Sequence, residues 1–259
     1  MKTIDLDPLS ALQWTKLVDE NNSDIFHSPQ WLAVLAQTYD FDVRARVLVN
    51  GENKAIAGLP YVHIEDMLSP RTVILPFSDY CDPIVNSSDE WREICADMLS
   101  GNDPVTVRCL HNDIPLKDSR FKLVNRARWH GIDLKPDLDD IYKNVHSSSK
   151  RAIRKAQREG ITIRLADHED DLRRFFEMHL TTRKLKYRLL AQSYSFLQNI
   201  WRNFIASQQG ALMLAEYKGE IIAGCLYLEW KHRLYYKFNA SALDHQLTRP
   251  NDLLMWEGI

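Results

Sequence analysis

Five cations, Lys150, Arg151, Arg154, Lys155 and Arg158, lie close together with no acidic residue between the first and the last. On a helix advancing 100° per residue they fall within an arc of about 140°, while Ile141, Val145, Ala152, Ile153 and Ala156 take the opposite side. Such a stripe suits phosphates, because guanidinium and ammonium groups donate several charge-assisted hydrogen bonds to phosphate oxygens. Solvated helix faces usually carry both signs, and this one carries a single sign. Arg183 is a further candidate anion contact. A second candidate is the polar loop over residues 75–83, stiffened by Pro76 and Pro83, which presents Asp79 and Tyr80. A carboxylate on a rigid loop can orient or deprotonate an amine, or it can close an Asx-turn on its own backbone.

These residues need elements to hold them. Two stretches, 47–62 and 214–228, read as copies of one β-hairpin: an apolar run, a polar turn containing Gly51 or Gly219, then a return run crossing Ala57-Gly58 or Ala223-Gly224. A glycine inside a strand weakens it and marks a bulge or a close backbone approach. In the first half the patterning predicts helices over 9–20 and 29–39, with Ser28-Pro29 as N-cap and first helical residue. Strands follow over 43–49, 54–64 and 72–75, then a helix over 88–99 and strands over 105–110 and 129–134. The second half opens with a helix over 139–159 that Gly160 ends. Next come a strand over 161–165, helices over 170–185 and 193–208, strands over 211–216, 221–230 and 234–240, and a helix from Pro250.

Composition bounds the class. A chain of 259 residues, 45% hydrophobic, can bury one large core or two smaller ones. The formal net charge of −2 argues against a generic polyanion binder, yet residues 120–160 hold eleven Lys or Arg against five acids, a local surplus of basic charge. Cys81, Cys95, Cys109 and Cys225 form no Cys-x-x-Cys and the histidines no His-x-x-x-His, so neither a disulfide scaffold nor a metal site is suggested, and a reducing cytoplasm fits. The opening residues lack an apolar signal core, and no run reaches the ~18 apolar residues that a membrane span needs.

The order helix, helix, hairpin, strand, helix, strand, met twice, resembles the GNAT acyltransferase fold. The sequence is more closely similar to Fem-type aminoacyltransferases and related GNAT-like acyltransferases. The residues carrying the likeness are His27-Ser28-Pro29-Gln30-Trp31, Ala57-Gly58-Leu59-Pro60, Leu75 to Tyr80, Arg151 to Ile161, Thr182-Arg183, Ile222-Ala223-Gly224 and Arg249 to Trp256. They span nearly all of the chain in the expected order. The resemblance implies an α/β (α+β) protein of two tandem GNAT-like domains, 1–136 and 137–259, each a mixed, mostly antiparallel sheet flanked by helices. Such proteins continue past the last helix into an Asp-Phe-Gly-like and a Phe-Lys segment, whereas this sequence stops at Ile259. The expectation is therefore a C-terminally shortened member whose second domain is incomplete.

The implied reaction is transfer of an acyl or aminoacyl group to an amine on a cell-envelope or polysaccharide precursor. It requires a deprotonated nucleophile, a stabilised carbonyl oxygen and a protonated leaving group. In a GNAT fold these needs point to the strand around Gly224 and its neighbour over 234–240, where Tyr236 and Asn239 are catalytic candidates beside Asp79, with Tyr227 and Tyr235 nearby. Tyr80, Lys150, Arg151, Arg154, Lys155, Arg158 and Arg183 are the implied substrate and phosphate contacts. No metal and no permanently bound cofactor is expected; the donor is an aminoacyl-tRNA or an acyl-CoA. The Gln/Arg-x-x-Gly-x-Gly/Ala loop that cradles coenzyme A is missing, since residues 244–251 read Asp-His-Gln-Leu-Thr-Arg-Pro-Asn, which tilts the donor toward aminoacyl-tRNA. Expected partners are the acyl carrier, the amine-bearing acceptor, tRNA and, peripherally, a lipid-linked precursor at the inner face of the membrane. Two alternatives stay open: an acetyl-CoA-dependent N-acetyltransferase acting on a small or peptidic amine, and a non-catalytic module that binds RNA or another anion.

Overall fold

Lys2–Leu6 forms a strand (β1) that the sequence patterning did not suggest; it pairs antiparallel with Val43–Val49 (β2), setting Ile4 opposite Val47. The computed structural model describes residues 1–67 and 69–259, which divide into two compact units, Met1–Trp129 and His130–Ile259, each with its own sheet.

Between β1 and β2 of the first unit lie the helices Leu12–Glu20 (α1) and Pro29–Tyr39 (α2). The second starts as expected: Ser28 Oγ accepts the Trp31 N–H at 3.1 Å and Pro29 stands where no N–H is needed. Ala55–Ile64 (β3), Arg71–Ile74 (β4), the helix Ser88–Cys95 (α3) and Val105–Val107 (β5) complete a sheet in the order β1-β2-β3-β4-β5, in which only β5 runs parallel to its neighbour. Three fully buried tryptophans fill the core, and each indole N–H is satisfied: Trp14 donates to His27 O, Trp31 to Ser78 Oγ and Trp91 to Asp118 Oδ2. That pairing matters because a buried donor left unmade costs about 1–3 kcal/mol.

The second unit runs through Leu138–Asn144 (α4), Ser147–Arg158 (α5), Thr162–Leu165 (β6), Glu169–Thr181 (α6), Tyr194–Ile200 (α7), Gly210–Tyr217 (β7), Glu220–Trp230 (β8), Arg233–Ser241 (β9) and Pro250–Gly258 (α8). Its sheet is antiparallel throughout, in the order β6-β7-β8-β9.

The repeated hairpin of the sequence is repeated in three dimensions. Gly58 on β3 lies opposite Val47 of β2, and Gly224 on β8 lies opposite Leu214 of β7. In each copy the register slips one position further along, between Leu48 and Val49 and between Ala215 and Glu216. A Cβ on Gly58 would meet Leu17 of α1, and one on Gly224 would meet Phe175 of α6, both at 3.0 Å or less. The two glycines thus do one job: they let a helix settle close onto a return strand.

Three expectations are corrected. Residues 129–134 form no strand; Trp129, Ile132 and Leu134 are exposed, with no partner edge among the described residues. The strand over 105–110 stops at Val107 because the chain then wraps a carboxylate, the N–H groups of Leu110, His111 and Asn112 all donating to Asp82. The helix over 139–159 is two helices, since Val145 is extended and His146 caps α5 by accepting the Ser148 N–H. Three consecutive serines favour such a cap over a helix interior. Finally, α6 and α7 each give way to a π-helical turn, Thr182–Lys186 and Trp201–Ile205.

Candidate functional site

The cationic helix is held by its opposite face. Ile153 and Ala156 of α5 pack into a cluster with Ile161, Ala215, Ile222, Ala223, Leu253 and Leu254, drawn from the sheet and α8. At its end Gly160 takes φ +83°, the Gly160 N–H donates to Gln157 O and the Ile161 N–H to Ala156 O. These two bonds form a Schellman motif, in which glycine accepts the left-handed conformation at little cost. With rotation and end both fixed, Arg151, Arg154 and Arg158 project into solvent, and Lys155 is half-buried. Arg151, Arg154, Gln157 and Arg158 line a surface depression of about 630 Å³. Among the described residues none of these three arginines is paired with a carboxylate, so their donors are available to an anion.

Two cations assigned to anion binding are occupied otherwise. The Lys150 ammonium donates to Lys143 O at 2.9 Å and lies 5.2 Å from the centre of the Tyr142 ring, tying α5 back to α4. Arg183 donates through Nε and Nη2 to Leu190 O at 3.3 and 3.2 Å, closing the loop that follows α6. Each bond removes donors that the sequence pattern had left free.

On β8 and β9 the strand register brings Tyr227 opposite Tyr236 and Cys225 opposite Asn239. The Cys225 thiol sits beside the hydroxyls of both tyrosines, and burial pushes it up to about 12. Tyr227 is buried and donates to Leu254 O at 3.2 Å, which makes it a tie between β8 and α8. Tyr236 is 44% exposed, and burial of its hydroxyl next to Cys225, with Tyr187 nearby, raises its phenol well above the ordinary value. Like any phenol it is protonated at neutral pH, and the shift makes it a weaker acid than a free tyrosine. Asn239 donates to Asn251 Oδ1 at 3.0 Å, and Asn251 in turn donates to Ser241 Oγ at 3.2 Å, joining the end of β9 to the start of α8.

Asp79 and Tyr80 belong to the first unit and face opposite ways. Asp79 is exposed, while Tyr80 is buried, donates to Asp24 Oδ1 at 3.1 Å and packs edge-on against Phe26 and His111. The loop is rigid, as its prolines suggest, because Ser78 is gripped by the Trp31 indole at its hydroxyl and by Arg108 at its carbonyl. Tyr80 is thus a packing residue, a correction to its assignment as a substrate contact.

One group escaped sequence reasoning. His179 on α6 is buried between Phe175 and Phe238, with Nε2 3.1 Å from Gln192 Oε1. Burial, aided by the Arg183 charge, lowers its pKa below the usual histidine value. Its spacing from Phe175 marks only one side of a helix, which gives no hint of chemistry. Among the described residues no group of three or more His, Cys, Asp or Glu is assembled as metal ligands, and no helix is long and apolar enough to cross a membrane.

Comparison with known proteins places this geometry in a class. Residues 143–259 match the family model described as Acetyltransferase (GNAT) domain, a span covering α5 to α8. The second unit is thus similar to a GNAT acetyltransferase domain over most of its length. Across its length the chain has the fold of two solved structures. The crystal structure of FemX aligns with a TM-score of 0.71 at 11% identity, covering 99% of this chain and 84% of that one. L-PGS from Bacillus licheniformis aligns with a TM-score of 0.54 at 13% identity, covering 98% and 74% respectively. No curated protein matches the sequence.

Proposed function

We propose that this acyltransferase moves an acyl or aminoacyl group from a phosphate-bearing carrier to an amine on a cell-envelope or polysaccharide precursor, at the cytoplasmic face of the membrane. The observation that carries the reading is the depression lined by Arg151, Arg154, Gln157 and Arg158, whose guanidinium groups have no acidic partner. Phosphate groups of a charged tRNA or of a lipid-linked precursor fit such donors, and Lys155 adds charge at the edge. Tyr236 is the proposed proton donor to the leaving group, and Asn239 holds the β9 and α8 segments on which it stands.

The segment before α8 supports one donor over the other. That segment is a 3₁₀ turn, Leu243–Thr248, followed by Arg249 at φ 64°, and no glycine offers its backbone closely to a pyrophosphate. An aminoacyl-tRNA donor is therefore favoured. The acetyl-CoA reading rests on the description of the matching family. Incubation with labelled aminoacyl-tRNA, or with labelled acetyl-CoA, and an amine-bearing envelope precursor separates the two. Label reaching the precursor only from tRNA supports the proposal, label only from acetyl-CoA selects the second reading, and transfer unchanged in an Arg151→Gln/Arg154→Gln/Arg158→Gln variant discards the assigned site.

A further inference from the structure

The loop after α6 has no part in the chemistry above, and its composition and geometry point outward. Leu185, Tyr187, Leu189 and Leu190 are all more than half exposed, Leu190 at 93%. Lys184 precedes them and Lys186 and Arg188 stand between them, and the chain contains no acid between Glu177 and Glu216. Exposed leucines normally signal a covered face or a loose segment, and this segment is not loose. Its backbone is closed by three bonds: Tyr187 N–H to Thr182 O at 3.3 Å in the π-helical turn, Leu189 N–H to Arg183 O at 3.0 Å, and Arg183 to Leu190 O. Arg188 makes the turn at φ 54°, and His179 paired with Gln192 pins the base. The apolar side chains are thus held in water by a built scaffold.

We infer that the loop over residues 183–190 is a membrane-surface anchor that inserts Leu185, Leu189 and Leu190 among the acyl chains of an anionic bilayer while Lys184, Lys186 and Arg188 meet its phosphates. Basic and apolar residues alternating on one exposed loop match the two layers of a lipid surface, an anionic headgroup region above a hydrocarbon one. Tyr187 is suited to the boundary between them, and its ring already lies 5.5 Å from the Lys186 ammonium. A protein partner would answer the leucines but not three unpaired cations; an anionic bilayer answers both. The inference deepens the reading of an enzyme at the membrane surface by naming the surface that touches lipid, and vesicle binding is measured without transfer activity.

Co-sedimentation of the full chain with phosphatidylcholine vesicles, with and without about 30% phosphatidylglycerol, tests it. Binding to the anionic vesicles that weakens with salt is expected, with Leu185→Ser/Leu190→Ser abolishing it. Lys184→Gln/Lys186→Gln/Arg188→Gln should weaken it on the order of a hundredfold, since each basic residue near such a surface is worth a factor of about five. A Leu190→Trp variant should gain emission that brominated lipid quenches. No binding to the anionic vesicles at low salt overturns the inference while leaving the transfer reaction standing. Binding that survives both loop variants but fails in the Arg151→Gln/Arg154→Gln/Arg158→Gln variant also overturns it, by moving the contact to α5. So does a dimer that Leu190→Ser dissociates when vesicles are not bound, which would make the loop a contact between copies. Anchoring without any transfer activity sustains the loop assignment and defeats the proposed reaction instead.

Discussion

Gly224 lies directly beneath Phe175: a Cβ built on the glycine would stand 2.7 Å from Phe175 Cδ2. The phenylalanine of α6 occupies the space that a side chain on β8 would need, so Gly224→Ala forces one of two packed elements to move. Overpacking of this kind costs about 1–3 kcal/mol. Chemical denaturation should show that loss, and Phe175→Leu combined with Gly224→Ala should recover part of it, because the two substitutions act on one shared volume. Additive losses would show that α6 does not seat on the glycine.

Arg164 of β6 joins three elements. It donates to both oxygens of Asp171 on α6 at 2.7 Å and, through Nε, to Glu216 of β7 at 2.7 Å. The Arg164 hydrogen bonds hold the Asp171 carboxyl below the usual aspartate value. Because the folded value is depressed, the stabilisation is complete above about pH 4 and is lost as pH falls through the folded pKa. Asp171→Ala should cost about 1–2 kcal/mol at neutral pH, a range kept modest because Arg164 is partly exposed to solvent. The deficit should shrink in acid, as thermal melts at pH 7 and pH 3 would record.

His179 works in the other pH range. Buried between aromatic rings and facing the Arg183 charge, it prefers the neutral form, and its folded pKa lies below the usual histidine value. The unfolded chain takes up that proton first, so stability is full above about pH 6.5 and declines as pH falls toward the folded value. A His179→Leu variant should flatten the dependence of the thermal midpoint on pH between 5 and 7.

Charge on α5 contributes little to folding. Arg151, Arg154 and Arg158 are exposed and unpaired, so replacing all three with Gln should change stability by no more than about 0.5 kcal/mol per site. Carrier affinity should fall, and the slope of log affinity against log salt should flatten by about one for each phosphate contact removed. Fluorescence titration with tRNA at several salt concentrations measures both.

Tyr236→Phe isolates the proposed proton donor. Loss of the hydroxyl should lower kcat by a factor of about 10² or more with KM little changed, because general acid assistance acts at the transition state. Tyr227→Phe should instead lower stability, since that hydroxyl ties β8 to Leu254.

Much of this architecture was legible in the residues themselves. Ser28-Pro29 fixed the start of α2, the Ala-Gly hairpins foretold a duplicated unit, and the one-sided cations of residues 150–158 together with Gly160 located α5, because caps, turns and helix faces depend on neighbours within a few positions. Contacts made far along the chain were decided only by the folded structure. β1 exists because β2 offers it an edge, and Lys150 and Arg183 lost their freedom to carbonyl oxygens whose position depends on how the chain turns. Tyr80 went into the core because Asp24 waits there for its hydroxyl, and Tyr236 acquired its raised pKa chiefly from burial of its hydroxyl against the adjacent strand, beside Cys225. A side chain's identity sets what it can donate or accept; its partners, and so its chemistry, are set by long-range packing.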